Sequence, residues 1–275
     1  MTVGLRETSV RDPYKILMIG NSFCYMYRHV LYGLAKAAGI ECRICCATAP
    51  ACTLEQHWTW HEKGEKRCDL TVVDASGESV RKGLGLDECL DAEDAWDGIS
   101  LQDGEYYYRL YGFSEARAQM EPFLGNLAAY IRKRFPAARL FFQQVWAYQV
   151  GYYRPNKSPF RVPDPGAQEI MHRDMRALAV EACQNHGLIR IPSGDAWAAS
   201  RADPRIGDNL CMSDNEHDGE LGQYLNACVW FETLFGLSCI GNPFPTQLPR
   251  ETADVLQTAA HQAVVSRAET DDSGH

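Results

Sequence analysis

The sequence predicts an α/β protein, a three-layer α/β/α sandwich built on a parallel five-stranded sheet. Three observations carry that prediction. Five apolar runs of strand length are interleaved with segments whose apolar residues recur at helical spacing. Glycine or proline closes several of the helical segments, as at Gly39, Pro136 and Gly187. No internal repeat or linker breaks the alternation, so residues 1–250 read as a single domain and 251–275 as a C-terminal helix with a disordered tail.

The first strand is KILMIG (15–20), which turns through Gly20-Asn21-Ser22. Val30, Leu31, Leu34, Ala35 and Ala38 then mark one helix face, and Gly39 stops it. IECRICCATA (40–49) is the second strand and LEQHWTWHEK (54–63) a short helical turn. Residues 63–95 are polar and glycine-bearing, which suggests a hairpin or an excursion from the main fold. DGISLQ (97–102) is the third strand, and 114–135 a helix with Met120, Leu124, Leu127 and Ile131 on its inner face. ARLFFQQVWAY (138–148) is the fourth strand. An aromatic and proline-rich loop follows to residue 166, of the kind that lines binding sites. Met171, Met175, Leu178, Ala179 and Ala182 mark the next helix, and LIRIPSGDAW (188–197) is the fifth strand. Helices at 221–236 and 251–266 complete the chain before the tail AETDDSGH.

A net charge of −9 argues against nucleic acid or an anionic membrane as a partner. The first fifteen residues hold no apolar signal core and no run approaches the ~18 residues of a membrane span, so a cytoplasmic protein is expected. The eleven cysteines are then expected to remain thiols, largely buried. Cys42, Cys45 and Cys46, with Cys52 nearby, invite a zinc reading, but no second Cys/His pair follows at the spacing of a structural site.

Ligands of an open parallel sheet gather at the carboxyl ends of the strands, where Ser22 sits. Ser22 either caps the first helix or acts as a nucleophile beside free backbone N–H groups. The turn carries one glycine and Cys24, so it matches neither a dinucleotide fingerprint nor a G-x-S-x-G elbow. A nucleophilic serine needs a base and the base an orienting acceptor. Asp214 and His217, three apart in SDNEHDGELGQYL before an apolar helix, offer such a pair.

Taken together, a Gly-Asn-Ser-Phe turn after the first strand and Asp-x-x-His before the last core helix resemble the SGNH/GDSL hydrolase superfamily. The variant here has IGNSF where the superfamily usually has a GDS motif. The resemblance spans about residues 15 to 240 and includes WDGISLQ, QQVWAY and IPSGDAW. It implies a flavodoxin-like sheet, Ser22 as nucleophile, His217 as base and acid, and Asp214 as its orienter. It also implies an oxyanion hole from the Ser22 N–H, an N–H at Ala51 or Cys52, and the side-chain amide of Gln102. The superfamily has glycine near Ala51-Cys52 and asparagine where this chain has Gln102. Gln102 is either that donor or a strand-end amide serving the backbone. His57 contacts substrate or packs inside; Trp146 forms a pocket wall or core; Tyr148 is expected against substrate. Asp195 is a rival partner for His217 or a turn residue.

The function expected is hydrolysis of a carboxylic ester through an acyl-enzyme on Ser22, without metal or cofactor. Tyr106, Tyr107, Tyr108, Tyr111, Trp146, Tyr148, Tyr152 and Tyr153 suit stacking against a sugar ring and an apolar acyl chain nearly as well, so a small-molecule or carbohydrate ester is expected, an acetylated sugar among them. An acyltransferase on the same scaffold, or a binding protein without catalysis, are the alternatives.

Overall fold

A computed structural model describes residues 12–104, 108–110, 112–156 and 158–271. Its centre is five parallel strands: β1 (Tyr14–Gly20), β2 (Cys42–Thr48), β5 (Gly98–Gln102), β6 (Arg139–Gln143) and β9 (Ile189–Ile191). They lie side by side as β2-β1-β5-β6-β9. The chain therefore winds outward in both directions from β1. The crevice between the carboxyl ends of β1 and β5 is the switch point where such sheets bind ligands.

Residues 63–95 extend this sheet instead of leaving it. Strands β3 (Cys68–Asp74) and β4 (Gly77–Leu84) form a hairpin that pairs antiparallel on β2, so the sheet has seven strands. In β3 Cys68, Leu70, Val72 and Val73 are buried, whereas β4 is exposed from Gly77 to Gly83. That outer strand carries Glu78, Arg81 and Lys82, charges that discourage pairing with another chain.

Helices α1 (Arg28–Ala37), α2 (Leu54–Glu62), α3 (Leu86–Leu90), α4 (Phe113–Arg134), α5 (Pro165–His186), α6 (Ser193–Arg201), α7 (Glu220–Phe235) and α8 (Arg250–Asp271) flank the sheet. One set packs α2 on α4 and α4 on α5; the other packs α1 on α7 and α7 on α8. Helix α5 begins where the Asp164 carboxylate accepts the Ala167 N–H and ends at Gly187, which takes φ 58°. Helix α7 is buried almost all round, from Tyr224 to Leu234, because it lies under α8. A two-stranded ribbon of β7 (Tyr152–Tyr153) and β8 (Arg161–Val162) shapes the loop after β6.

Four boundaries differ from the sequence reading. Helix α1 starts at Arg28, and a short 3₁₀ turn, Ser22–Cys24, fills the gap after β1. Strand β6 stops at Gln143, leaving Trp146 and Tyr148 in irregular chain. Strand β9 stops at Ile191, and Ser193 opens α6. Helix α8 runs to Asp271, so Ala268–Asp271 of the expected tail are helical. Pattern alone cannot separate a buried strand from the extended chain that continues it.

All eleven cysteines are free thiols, ten buried and Cys211 partly so. Cys45 and Cys46 are neighbours on β2 and so point to opposite faces of the sheet, an arrangement unsuited to one shared metal. No helix among the described residues is long and apolar enough to cross a membrane.

Candidate active site

The carboxyl ends of β1 and β2 are level, with Gly20 opposite Thr48, and those of β5 and β6 are level, with Gln102 opposite Gln143. The turn bearing Ser22 rests on that platform. The Asn21 side chain caps it by accepting the Phe23 N–H at 3.0 Å and donates to the Cys52 carbonyl at 3.0 Å. Gln102 Oε1 accepts the Asn21 N–H at 3.1 Å, and Gln143 Nε2 donates to the Phe23 carbonyl at 3.1 Å. A Cβ at position 20 would lie 2.5 Å from Gln102 Oε1, so a side chain there would displace the amide that holds Asn21. The helix cap is therefore Asn21's work on the 3₁₀ turn, and the Ser22 hydroxyl is left for another partner.

That partner is His217. Ser22 Oγ lies 2.8 Å from His217 Nε2, and His217 Nδ1 lies 2.6 Å from Asp214 Oδ2. Asp214 Oδ1 also accepts the backbone N–H groups of Glu216 and His217, each at 3.0 Å, which folds the DNEH segment into a tight turn with Asn215 at φ 62°. Burial alone would raise the Asp214 carboxyl, but the bonds from the His217 ring and from these two N–H groups outweigh it and hold it below the usual carboxylate value. The Phe23 ring stacks on the imidazole at 5.0 Å between centroids. Two residues separated from Ser22 by nearly two hundred positions thus join it in one hydrogen-bonded row.

A cavity of about 410 Å³ opens over this row. Its walls include Thr48, Ala49, Pro50 and Ala51 after β2, Asp69 and Thr71 of β3, Tyr25, Tyr148, Arg109, Arg154 and Glu216. Thr48 and Asp69 are paired across β2 and β3, so the hairpin supplies one wall. Ala51 adopts φ 53°, the conformation glycine takes most readily, at a cost of roughly 1–2 kcal/mol for alanine. Ser22 and Ala51 both face the cavity, and neither backbone N–H has an acceptor among the described residues. The Cys52 N–H is instead engaged by the Ala49 carbonyl at 3.3 Å.

Of the remaining expected site residues that the structure describes, only Tyr148 reaches the cavity. Gln102 is fully buried beneath the turn and does not face the cavity; its longer arm reaches back to the backbone of Asn21. His57 is buried behind the Ala51-Cys52 loop, with Nε2 3.0 Å from the Gly20 carbonyl and 3.0 Å from Cys52 Sγ. Trp146 is fully buried, stacks on Trp197 at 4.3 Å, and donates from Nε1 to the Glu216 carbonyl at 2.9 Å. It supports the DNEH turn from below and forms no wall of the cavity. Tyr148 does line the cavity. Asp195 sits in the first turn of α6, bound to the buried Arg190 at 2.7 Å and to Gln144 at 2.8 Å, away from His217. Of the aromatics expected near substrate, Tyr108 and Tyr152 are buried and Tyr153 is exposed, while Tyr106, Tyr107 and Tyr111 lie outside the described residues.

Two arginines and a glutamate were not singled out by the sequence. Arg154 Nη2 is 3.1 Å from Asp214 Oδ2 and 3.2 Å from Glu216 Oε1, and Arg109 Nη1 is 3.5 Å from Glu216 Oε2. Asp214, Glu216 and His217 hold their polar atoms within 4.8 Å of one another. With the Arg154 guanidinium lodged between the two carboxylates and Arg109 on the far oxygen of Glu216, that cluster already holds its counter-charges and is poorly suited to a cation. Next to His217, Asp218 is fully buried; burial pushes its carboxyl up to about 7, against a bond from Asn226 Nδ2 at 3.3 Å.

Comparison with known proteins places this arrangement in context. The model of a domain of unknown function, DUF4886, matches residues 15–263. A DUF4886 family protein from Bacteroides uniformis ATCC 8492 superposes with a TM-score of 0.80 at 26% identity, over 92% of this chain and 95% of that one. A GDSL-like lipase candidate from Parabacteroides merdae ATCC 43184 superposes with a TM-score of 0.53 at 16% identity, over 80% of this chain and 95% of that one. An extracellular lipase from Streptomyces rimosus follows at 0.50 and 13% identity, over 81% of this chain and 99% of that one. No curated protein sequence matches the chain. By the extent of the family match and the shared topology, the chain belongs to the DUF4886 family and carries the fold of the GDSL/SGNH hydrolases.

Proposed function

We propose that this protein is a serine esterase that hydrolyses a carboxylic ester through an acyl-enzyme on Ser22. The observation that carries the reading is the row Ser22 Oγ, His217 Nε2, His217 Nδ1, Asp214 Oδ2, with contacts of 2.8 and 2.6 Å at the floor of the cavity. Ser22 Oγ attacks the acyl carbon while its proton passes to His217 Nε2, and Asp214 steadies the imidazolium. The backbone N–H groups of Ser22 and Ala51 receive the charge that develops on the carbonyl oxygen. The protonated His217 then returns its proton to the departing alcohol, and water, activated by the same imidazole, releases the acid.

The cavity favours a compact polar alcohol with a short acyl group, an acetylated carbohydrate being one example. Thr48, Asp69, Thr71 and Arg154 offer hydrogen bonds around about 410 Å³, and Tyr148 offers a ring face. A fluorophosphonate probe should label the wild-type chain and leave Ser22→Ala unlabelled, with hydrolysis of a small acetate ester lost in the same variant. A folded wild-type protein that takes no label at Ser22 would refute the esterase reading.

A further inference from the structure

We infer that Arg154 is a positioning residue of this site, whose guanidinium holds and offsets the two carboxylates beside His217 Nδ1. The inference rests on the esterase reading and assigns a role to a residue outside the triad.

Asp214 Oδ2 is 2.6 Å from His217 Nδ1, and Glu216 Oε1 is 3.6 Å from the same nitrogen. Two carboxylates thus flank one imidazole edge. Left unbalanced, they would favour the doubly protonated ring, and an imidazolium cannot take the Ser22 proton through Nε2. Arg154 Nη2 stands between them, 3.1 Å from Asp214 Oδ2 and 3.2 Å from Glu216 Oε1. The oxygen it contacts on Asp214 is the one that receives the imidazole N–H. Glu216 is buried, so its charge is poorly screened by water and needs a partner within the protein.

The other groups around His217 are accounted for. Arg109, on the buried segment 108–110, contacts the far oxygen of Glu216 at 3.5 Å and the Tyr152 hydroxyl at 3.3 Å. Ser22 and Phe23 face the ring from the nucleophile turn, Asp218 follows it in sequence, and Asp69 lies across the cavity. Among these charges only Arg154 touches both carboxylates beside Nδ1. It is also about a third exposed at the cavity wall, so it can be exchanged without opening the core.

The test is the pH dependence of kcat/KM on a small acetate ester, repeated with the rate of fluorophosphonate labelling at Ser22. Arg154→Gln should move the acidic limb of both profiles upward by about one pH unit, with the activity lost near neutrality recovered at alkaline pH. Arg154→Lys, which keeps the charge, should leave the limb within a few tenths of a unit. Glu216→Gln should move it the opposite way, and it carries the test if Arg154→Gln does not fold. The titration of Asp218 is common to all the variants and cannot reverse the sign between them. An unmoved limb in Arg154→Gln, a limb moved downward, or an equal loss at every pH would overturn the inference. Absence of labelling in the wild type would instead fail the esterase reading itself, so the two outcomes are distinct.

Discussion

Asp218→Asn should make the protein more stable at neutral pH and remove a distinct slope from its stability profile. The Asp218 side chain is fully buried, its Oδ1 has no partner among the described residues, and its Oδ2 receives one weak bond from Asn226. Burial drives the carboxyl from 3.8 up to about 7, with the negative Asp214 adding to the effect and the Asn226 bond opposing it. The folded state therefore holds this proton more tightly than the unfolded chain does. Its contribution to stability is fully present below pH 4, falls between pH 4 and 7, and is gone above 7. The whole span corresponds to a ceiling of ~4 kcal/mol, and the part between pH 5 and 7 to roughly 2–3 kcal/mol. An asparagine has no proton to lose, its oxygen can still accept from Asn226, and its amide adds a donor where Oδ1 stood. Urea unfolding of both proteins from pH 5 to 8 measures the difference directly. The gap between variant and wild type should widen by ~2 kcal/mol across that range in favour of the variant. A gap that stays constant with pH would show that Asp218 is already ionised in the folded protein and that its burial is compensated in another way.

The loop at Ala51 and Cys52 can be probed by two substitutions, one in it and one behind it. Ala51→Gly should gain up to ~1 kcal/mol in urea unfolding, since relief of the left-handed strain is partly offset by the freer unfolded chain, and should keep Ser22 labelling within about twofold; a tenfold slower labelling would mean that the Ala51 methyl shapes the site. His57→Leu should cost ~1–3 kcal/mol of stability by leaving the buried Gly20 carbonyl with only the weak Cys52 thiol donor at 3.1 Å, and should lower kcat with KM unchanged; a raised KM with stability intact would return His57 to substrate contact.

Legibility in the sequence followed the range of the interactions. β1 is a continuous apolar run because it is buried on both faces at the centre of the sheet, and its end at Gly20 is visible as a turn. The helices α4 and α5 show their buried faces at 3.6-residue spacing, and their ends are marked by Pro136 and Gly187. The hairpin was harder to place because its outer strand is solvent-exposed, so nothing in its pattern says which sheet it joins. Arg154 and Glu216 were invisible as site residues for a related reason. An arginine in a loop and a glutamate between two other polar residues look like solvated charges until a fold buries one and aims the other at it.

The alternation of strands and helices is legible in the chain's letters, as are the Ser22 and Asp214/His217 fragments whose local chemistry suggested a nucleophile and a base. Periodicity, turn chemistry and short-range pairing are properties of neighbours along the chain, and they survive in the letters. Folding settled what those fragments meet. It set Ser22 Oγ 2.8 Å from His217, turned Gln102 inward to hold the Ser22 turn, put Trp146 and His57 behind the site, and brought Arg154 between two carboxylates. Each of these depends on side-chain direction across separate elements. A shift of one residue, or a longer side chain, reverses that direction without changing the pattern.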